Sequence, residues 1–308
     1  MKIFSGEQNA LFAQNVCKSV GVTINSSEVK RFSDGEFTVA LNETVRGETV
    51  YLIQSTFQPS DNLIELLMMA DAAKRAGAKS IVAIIPYFGF SRQDKKEMPR
   101  TPIGAALVSK MIEMTGINHV ITMDLHAEQI QGFFNIQISH LYSSVTMVPS
   151  IKNCLFDRDL IICAPDAGAA KRAKAYCQYF QTDMVVCYKY REEANKVKEL
   201  KVIGSVEGKD VLIVDDLIDT AGTLCKCADV LMQKGAKSVH AAITHPILSG
   251  NAYENISNSV LENLFVTNSI PLKNQNCEKI RTIDVADLFG SVIKNIENNS
   301  SISGNFLI

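Results

Sequence analysis

The sequence predicts an α/β protein with two duplicated domains, each built on a mainly parallel sheet flanked by helices. Apolar segments of strand length alternate with helical segments along most of the 308 residues. The same strand-helix-strand pattern occurs twice, and both of its helices end in Gly-Ala-Lys-Ser. The length is also more than one hydrophobic core usually accommodates, so two cores are expected.

The first repeat combines a buried strand at 47–55, a helix at 61–76 and a strand at 80–86. The second combines 208–216, 223–234 and 238–246 in the same order. Gly47 and Gly77 are 30 positions apart, and Gly208 and Gly235 are 27 apart, so the repeats differ by three residues. We therefore interpret the chain as internally duplicated.

Further strands are predicted at 119–124, 160–165 and 183–188, with a strand-like segment at 135–142. We place an N-terminal domain at 1–145 and a C-terminal domain at 146–294. The polar tail 295–308 has too few apolar residues for a core, and we expect it to join the N-terminal domain at a surface or interface.

The composition excludes several classes of protein. Lys and Arg (31) nearly balance Asp and Glu (33), so the chain lacks the positive charge that holds nucleic acid. No signal-like or membrane-spanning run occurs, and we expect a cytoplasmic protein without membrane contact. The eight cysteines include no CxxC, which favours reduced structural thiols. Cys225 and Cys227 should face different sides of a helix, which argues against joint metal binding.

The most informative segment is 211–223, an apolar strand followed by acids and a turn into a helix. Neither of the common phosphate-binding loops, GxxxxGK[ST] and GxGxxG, is present. Free backbone N–H groups at the helix start could bind a phosphomonoester, and Asp215 and Asp216 could accept hydrogen bonds from vicinal sugar hydroxyls. The plain alternative is an ordinary helix cap. The candidate substrate-binding residues are Asp215, Asp216, Asp219, Thr220, Ala221, Gly222 and Thr223.

This segment resembles the ribose-phosphate loop of the phosphoribosyltransferase fold, and further motifs narrow the resemblance to the ribose-phosphate pyrophosphokinases. The motifs are KRFSDGE at 30–36, PYFGFSRQDKK at 86–96, TMDLHAEQIQGFF at 122–134, APDAG at 164–168 and THPILSG at 244–250. The resemblance implies two phosphoribosyltransferase-like domains. It also implies transfer of the pyrophosphoryl group of Mg-ATP to the C1 hydroxyl of ribose 5-phosphate, which gives 5-phosphoribosyl 1-pyrophosphate and AMP for nucleotide biosynthesis.

The same resemblance assigns an ATP site to the N-terminal domain, made of Phe32, Asp34, Gly35, Glu36, Arg92 and Gln93. Phe32 could stack on a purine, and a planar guanidinium can bind phosphate oxygens in two places. Without the resemblance, SDG is a simple turn and 91–100 a solvated charged loop. In the family a neighbouring subunit supplies part of the adenine pocket, which implies self-association, with a homohexamer expected.

Magnesium and catalytic residues also follow from the resemblance. His126 and Asp166 match magnesium-site positions, although each could simply cap a helix, and His126 is expected to act through water or phosphate. Lys189 and Arg191 match the catalytic Lys and Arg of the family. They open a polar segment, extending to about residue 205, that we interpret as a mobile loop acting as a lid; the plain alternative is a solvated charged loop.

Three positions depart from the family pattern. Ala169 replaces a second glycine and is expected to tighten the turn beside the ribose site. Glu128 replaces a serine associated with a regulatory phosphate or ADP site, where a carboxylate would repel phosphate. The chain ends in SISGNFLI instead of the common shorter ending. These departures predict weakened phosphate activation or ADP inhibition.

Two other functions fit parts of the sequence. A phosphoribosyltransferase would use a single domain of this kind and would consume the proposed product. A non-catalytic regulatory homologue would keep the fold and bind partners instead of substrates. The duplication and the segments around Arg31 and Arg92 favour the pyrophosphokinase over the first alternative, and intact His126 and Lys189 favour it over the second.

Overall fold

The computed structural model describes residues 1–190, 199–274 and 276–303. Its strands are β1 (Lys2–Ser5), β2 (Ser27–Arg31), β3 (Phe37–Leu41), β4 (Thr49–Ile53), β5 (Ser80–Ile85), β6 (His119–Met123), β7 (Gln137–Leu141), β8 (Leu160–Ala164), β9 (Met184–Tyr190), β10 (Glu199–Ile203), β11 (Asp210–Ile218), β12 (Ser238–Pro246), β13 (Asn263–Thr267) and β14 (Ile280–Ile283). Its α-helices are α1 (Ala10–Val20), α2 (Asp61–Arg75), α3 (Gly104–Met114), α4 (Ser144–Cys154), α5 (Ala170–Phe180), α6 (Gly222–Gln233), α7 (Ala252–Asn258) and α8 (Ala286–Glu297).

The chain divides into two compact units. Unit 1 contains residues 1–142, 269–271 and the described chain from 285 onward, and unit 2 contains 143–268 and 272–284. Each unit has its own sheet and its own hydrophobic core. Within the described ranges, no helix is both long and apolar enough to cross a membrane.

Unit 1 is built on a five-stranded sheet in the order β1-β4-β5-β6-β7, and every neighbouring pair is parallel. Helices α2 and α3 cover an apolar face of this sheet, because their buried residues belong to the same core as β4 and β5. The strands β2 and β3 form a separate antiparallel hairpin.

Unit 2 is built on a seven-stranded sheet in the order β10-β9-β8-β11-β12-β13-β14. All neighbouring pairs are parallel except the edge pair β9 and β10. Side chains of β11 alternate between two cores, with Val211 and Ile213 facing α6 and with Leu212 and Val214 facing α4 and α5. Both sheets thus confirm the predicted fold class.

The predicted duplication is visible in one turn that each unit repeats. In unit 1 the Gly47 amide donates to the Gly77 carbonyl oxygen at 2.9 Å, and in unit 2 the Gly208 amide donates to the Gly235 carbonyl oxygen at 2.8 Å. Gly77 and Gly235 have φ values of 82° and 90°, a conformation that glycine adopts without a steric penalty. The repeated glycine therefore ends a helix at the same place in both units.

Two expectations about local structure were wrong. The predicted loop at 189–205 is wrong at both of its ends, because β9 continues to Tyr190 and residues 199–203 form β10, in which Leu200 and Val202 pack against the core. Residues 191–198 of that prediction lie outside the described residues. The polar tail does not start at Asn295 either. Helix α8 includes residues 295–297, and its last residue, Glu297, accepts a hydrogen bond from Tyr51 Oη at 2.9 Å.

Candidate functional site

The predicted phosphate loop lies between β11 and α6. The strand continues two residues past Asp216 to Ile218, and the helix begins at Gly222. The N-cap residue is Ala221, which has a φ of 63° and no side chain that could cap the helix. The first N–H groups of an α-helix lack intrahelical partners and create a positive end of the helix dipole. The residue at the N-cap position therefore does not cap α6 with its side chain, and the turn suits an anion.

A second loop, after β12, holds this turn in place. The Ile218 carbonyl oxygen accepts the Ile247 amide at 3.0 Å, and the Asp219 carbonyl oxygen accepts the Ser249 amide at 3.1 Å. Ser249 Oγ also donates to the Asp219 carboxylate. Asn255 Nδ2 donates to the carbonyl oxygen of Thr220 at 2.8 Å. Sequence reasoning quoted 244–250 as a motif but did not predict that Ser249 and Asn255 support the loop.

The loop opens on a cavity of about 210 Å³ in unit 2. The cavity lies at the carboxyl ends of β8 and β11, where ligands of α/β sheets commonly bind. The lining brings together most of the residues predicted for this site in unit 2. These residues are Asp166, Asp215, Asp219, Thr220, Ala221 and Thr223.

Asp215 and Asp216 have different surroundings although they are neighbours. Asp215 is half-buried at the cavity, whereas Asp216 is buried and donates its amide to Asp215 Oδ1 at 2.9 Å. Burial, and next the charge of Asp216, raise the pKa of Asp215 to about 8. Sequence reasoning missed Arg172 of α5, whose Nη1 lies 4.0 Å from Asp215 Oδ1 and 3.9 Å from Asp216 Oδ1. Its positive charge opposes the rise.

The fold does not require a glycine at position 222. Its φ lies outside the left-handed region, and a Cβ at this position would meet, among the described residues, Thr220 Oγ1 alone, at 3.8 Å. Gly89, in contrast, would place a Cβ 2.0 Å from the Thr56 carbonyl oxygen, a backbone atom, so packing requires that glycine. A larger residue at 222 would fit the protein but would occupy space at the helix N-terminus.

Asp166 follows β8 and is exposed. Its Oδ1 accepts the Ala169 amide at 3.1 Å, which shapes the turn into α5. Ala169 has ordinary right-handed helical geometry and is buried in the core, so the backbone accepts alanine at this position without strain. The carboxylates of Asp166 and Asp215 line one cavity, and oxygen donors of this kind suit Mg²⁺, which keeps waters and substrate phosphates as its other ligands.

His126 lies in unit 1 and is exposed in the loop between β6 and the 3₁₀ helix Glu128–Phe133. This loop is positioned by the Leu125 amide, which donates to His140 Nε2 at 2.9 Å. Among the described residues, one group of three or more His, Cys, Asp or Glu side chains places its ligand atoms within 4.8 Å of one another, and it consists of three buried cysteines. His126 and Asp166 do not belong to it.

The predicted purine-binding segment forms the tip of the β2–β3 hairpin. The Phe32 amide donates to the Glu36 carbonyl oxygen at 2.8 Å, and Gly35 has a φ of 95°. Asp34 Oδ1 accepts the Glu36 amide at 3.0 Å, so this carboxylate helps to form the turn. The Phe32 side chain is 47% exposed at the tip. An exposed ring on a hairpin tip can stack on a ligand or on another chain.

Arg92 and Gln93 are exposed in the loop between β5 and α3. The loop is anchored where the Gly89 amide donates to Thr56 Oγ1 at 2.7 Å, and a Cβ at Gly89 would lie 2.0 Å from the Thr56 carbonyl oxygen. The Gln93 carbonyl oxygen accepts the Ala105 amide at 3.1 Å, which ties the loop to the start of α3. The loop is thus an anchored segment, with Arg92 at its surface.

Lys189, one of the two candidate catalytic residues, lies near the end of β9. The backbone of Lys189 pairs with Leu200 of β10 in an antiparallel hairpin. Arg191 lies outside the described residues.

Glu128, the predicted departure from the family pattern, begins the 3₁₀ helix after β6. Its Oε1 lies 3.4 Å from Tyr142 Oη, within hydrogen-bonding distance. The Tyr142 ring lies against His140, with ring centroids 4.8 Å apart. The Glu128 carboxylate therefore has a partner within unit 1.

Comparisons with known proteins agree along the chain. Residues 1–116 match the N-terminal domain of ribose phosphate pyrophosphokinase, and residues 191–307 match the phosphoribosyl synthetase-associated domain. A ribose-phosphate pyrophosphokinase of Helicobacter hepaticus is 49% identical over 306 residues, which are 99% of this chain and 98% of that protein. The corresponding protein of Campylobacter jejuni is 48% identical over 99% of each chain. A crystal structure of phosphoribosylpyrophosphate synthetase from Mycobacterium smegmatis superposes with a TM-score of 0.91 at 30% identity, covering 97% of this chain and 99% of the other.

Proposed function

The chain belongs to the ribose-phosphate pyrophosphokinase family, and we propose that it transfers the pyrophosphoryl group of Mg-ATP to the C1 hydroxyl of ribose 5-phosphate. The products are 5-phosphoribosyl 1-pyrophosphate and AMP. The observation that carries the proposal is the turn 219–222, which presents an uncapped helix N-terminus to a cavity lined by carboxylates. Neither a phosphoribosyltransferase nor a non-catalytic homologue is favoured, because the pyrophosphokinase relatives match over nearly the full chain.

The 5-phosphate of the sugar binds at the N-terminus of α6. Backbone N–H groups at this end, together with the hydroxyls of Thr220 and Thr223, are the donors, and both threonines are exposed. Gly222 leaves the space through which the phosphate approaches. Ser249 and Asn255 keep the loop in the geometry that the phosphate needs.

The ribose hydroxyls bind to the acids of β11. Asp215 accepts from a hydroxyl in the cavity, and buried Asp216 orients Asp215 through its amide. Arg172 is a positioning residue, because its guanidinium lies near both carboxylates and favours their ionised forms. An ionised carboxylate is a stronger hydrogen-bond acceptor than a neutral one.

Asp166 would hold Mg²⁺ at the same cavity, and His126 would contribute through water or phosphate. When bound, the ion would neutralise charge on the phosphate oxygens. Phe32, Asp34, Gly35 and Glu36 bind the adenine and its ribose, and Arg92 and Gln93 bind the ATP phosphates. The exposed position of the hairpin tip supports a pocket completed by a second copy of the chain, and a homohexamer is the proposed assembly.

The transfer needs alignment and charge neutralisation more than covalent chemistry. The C1 oxygen of ribose attacks the β-phosphorus of ATP, the bond from the β-phosphorus to the bridging oxygen breaks, and AMP leaves with that oxygen. The C1 hydroxyl proton is released. Lys189 of β9 and Arg191 stabilise the charge on the phosphate oxygens during transfer.

We also propose where the reaction takes place and how phosphate and ADP affect it. The reaction takes place in the cytoplasm, which suits eight cysteines without a disulfide. Glu128 weakens the phosphate or ADP response, because a carboxylate repels these anions. Activity that depends strongly on inorganic phosphate would contradict this regulatory part.

A direct assay tests the proposed function. The purified protein is incubated with ATP, Mg²⁺ and ribose 5-phosphate, and both products are quantified by chromatography. We expect equal amounts of AMP and 5-phosphoribosyl 1-pyrophosphate, and neither product when ribose replaces ribose 5-phosphate. Release of ADP or phosphate in place of AMP would refute the proposal.

A further inference from the structure

Three cysteines that the proposed reaction does not use lie together in the core of unit 2. Cys163 of β8, Cys187 of β9 and Cys227 of α6 are buried with 0% exposure. Their Sγ atoms lie within 4.8 Å of one another. The Cys227 thiol donates to Cys187 Sγ at 3.0 Å, and Cys163 Sγ lies 3.6 Å from Cys187 Sγ.

The surroundings of this cluster favour an uncharged product over a bound metal ion. The three cysteines belong to a core cluster of buried hydrophobic residues, among them Val185, Leu224 and Leu231. Three thiolates around a monovalent or divalent soft cation would carry net negative charge. Burying such a charge without a partner is costly, whereas a disulfide is neutral.

We propose that Cys187 and Cys227 form a reversible disulfide when a hydroperoxide oxidises the protein. An S–S bond is about 2.05 Å long, so the Sγ atoms of Cys187 and Cys227 must approach each other by about 1 Å. The Sγ atoms of Cys163 and Cys187 start farther apart and would have to move more.

The chemistry balances with the hydroperoxide as the two-electron oxidant. Cys187 Sγ attacks one peroxide oxygen, the O–O bond breaks, and the other oxygen leaves with the former Cys187 proton as water or an alcohol. Cys187 is then a sulfenic acid. Cys227 Sγ attacks that sulfur, the S–O bond breaks, and the hydroxyl leaves as water with the Cys227 proton.

The position of β9 gives the oxidant a route to the cluster. In the sheet β9 has one neighbour, β10, between it and the edge. Local opening of an edge hairpin costs less than global unfolding and exposes buried groups transiently. The new bond would connect the strand that carries Lys189 to the helix that begins at Gly222.

Peptide mapping of the oxidised protein tests the proposal. The native protein is treated with hydrogen peroxide, remaining thiols are alkylated, and the digest is analysed by mass spectrometry with and without dithiothreitol. We expect a peptide pair joined through Cys187 and Cys227, about 2 Da lighter than the two thiol peptides together, which dithiothreitol separates. Cys227→Ala should abolish the pair, and the matched variant Cys163→Ala should retain it.

The peptide map of the wild-type protein tests for the Cys187–Cys227 disulfide even if a variant misfolds. A disulfide through Cys163, or sulfinic acid at Cys187 without any linked pair, would overturn the proposal. Stoichiometric binding of added Zn²⁺ to the wild type, lost in Cys163→Ala, would also overturn the proposal. It would show that the cluster binds a metal ion despite the net charge. The exposed Cys154 is an internal control for alkylation. It should be alkylated in every sample that contains no dimer linked between two chains.

Discussion

Ser249 makes two hydrogen bonds to Asp219, one from its hydroxyl to the carboxylate and one from its amide to the carbonyl oxygen at 3.1 Å. The two residues are 30 positions apart in the sequence. The bonds fasten the loop after β12 to the loop after β11. The proposed phosphate site therefore depends on a segment that contributes no phosphate ligand of its own.

Ser249→Ala removes the hydroxyl bond and tests this dependence. Loss of one hydrogen bond costs about 1 kcal/mol, and we expect Tm to fall by about 2–4 °C while KM for ribose 5-phosphate rises several-fold. Thermal unfolding and steady-state kinetics measure the two effects. Ser205→Ala, at an exposed serine of the same unit, is the control. An unchanged KM would show that the loop holds its geometry without Ser249.

Arg172→Met tests the electrostatic role of the guanidinium near Asp215 and Asp216. Without this charge the pKa of Asp215 should rise further, so ribose 5-phosphate binding should weaken about 10-fold at neutral pH and recover at higher pH. The measurement is KM as a function of pH. Arg172→Lys should restore part of the loss, and Lys171→Met is the neighbouring control. A KM that rises equally at all pH values would indicate a merely structural role.

Local sequence patterns predicted most of the fold and the central loop. The strands of both sheets are short apolar runs, and the repeated Gly-Ala-Lys-Ser marks the same turn in both units, so the information lies within a few adjacent residues. The turn 219–223 was predictable for the same reason. Asp166 follows β8 and Asp215 lies towards the end of the parallel strand β11, and they share a cavity because the carboxyl ends of parallel strands meet at one edge of a sheet.

The rest depends on contacts between distant segments. Arg172 follows the 164–168 motif by a few residues, yet only helix packing directs it to the acids of β11. The cysteines 163, 187 and 227 are scattered in sequence and meet because three elements pack together. β10 was missed because it is short and Glu199 and Lys201 interrupt its apolar residues, and its pairing with β9 became visible only in the sheet.

Asp215→Asn should stabilise the free protein at alkaline pH. The folded-state pKa of Asp215 is raised from 3.8 to about 8, so the folded protein holds this proton more tightly than the unfolded chain. Its stabilising contribution is full below the ordinary pKa and is lost as pH rises through the folded value. In the presence of a chelator, the variant should melt above the wild type at pH 8.5, and the gap should narrow towards pH 5. A gap independent of pH would contradict the raised pKa.

Lys189→Ala should separate catalysis from sugar binding. If Lys189 stabilises charge during transfer, kcat should fall by about 100-fold or more, whereas the affinity for ribose 5-phosphate should change little. Rapid-quench kinetics and equilibrium binding measure the two quantities. Lys201→Ala, on the adjacent strand β10, is the matched control. Normal turnover in Lys189→Ala would remove this residue from the mechanism.

The central claim is that the turn before α6 binds the 5-phosphate, and calorimetric titration of ribose 5-phosphate with a magnesium nucleotide analogue tests it most directly. Gly222 and Gly235 lie at opposite ends of the same helix and are glycines for different reasons. We predict that the wild type binds, that Gly222→Val stays folded but binds at least about 10-fold more weakly, and that Gly235→Ala is less stable but binds normally. Equal binding by wild type and Gly222→Val, or no binding by the wild type, would contradict the claim.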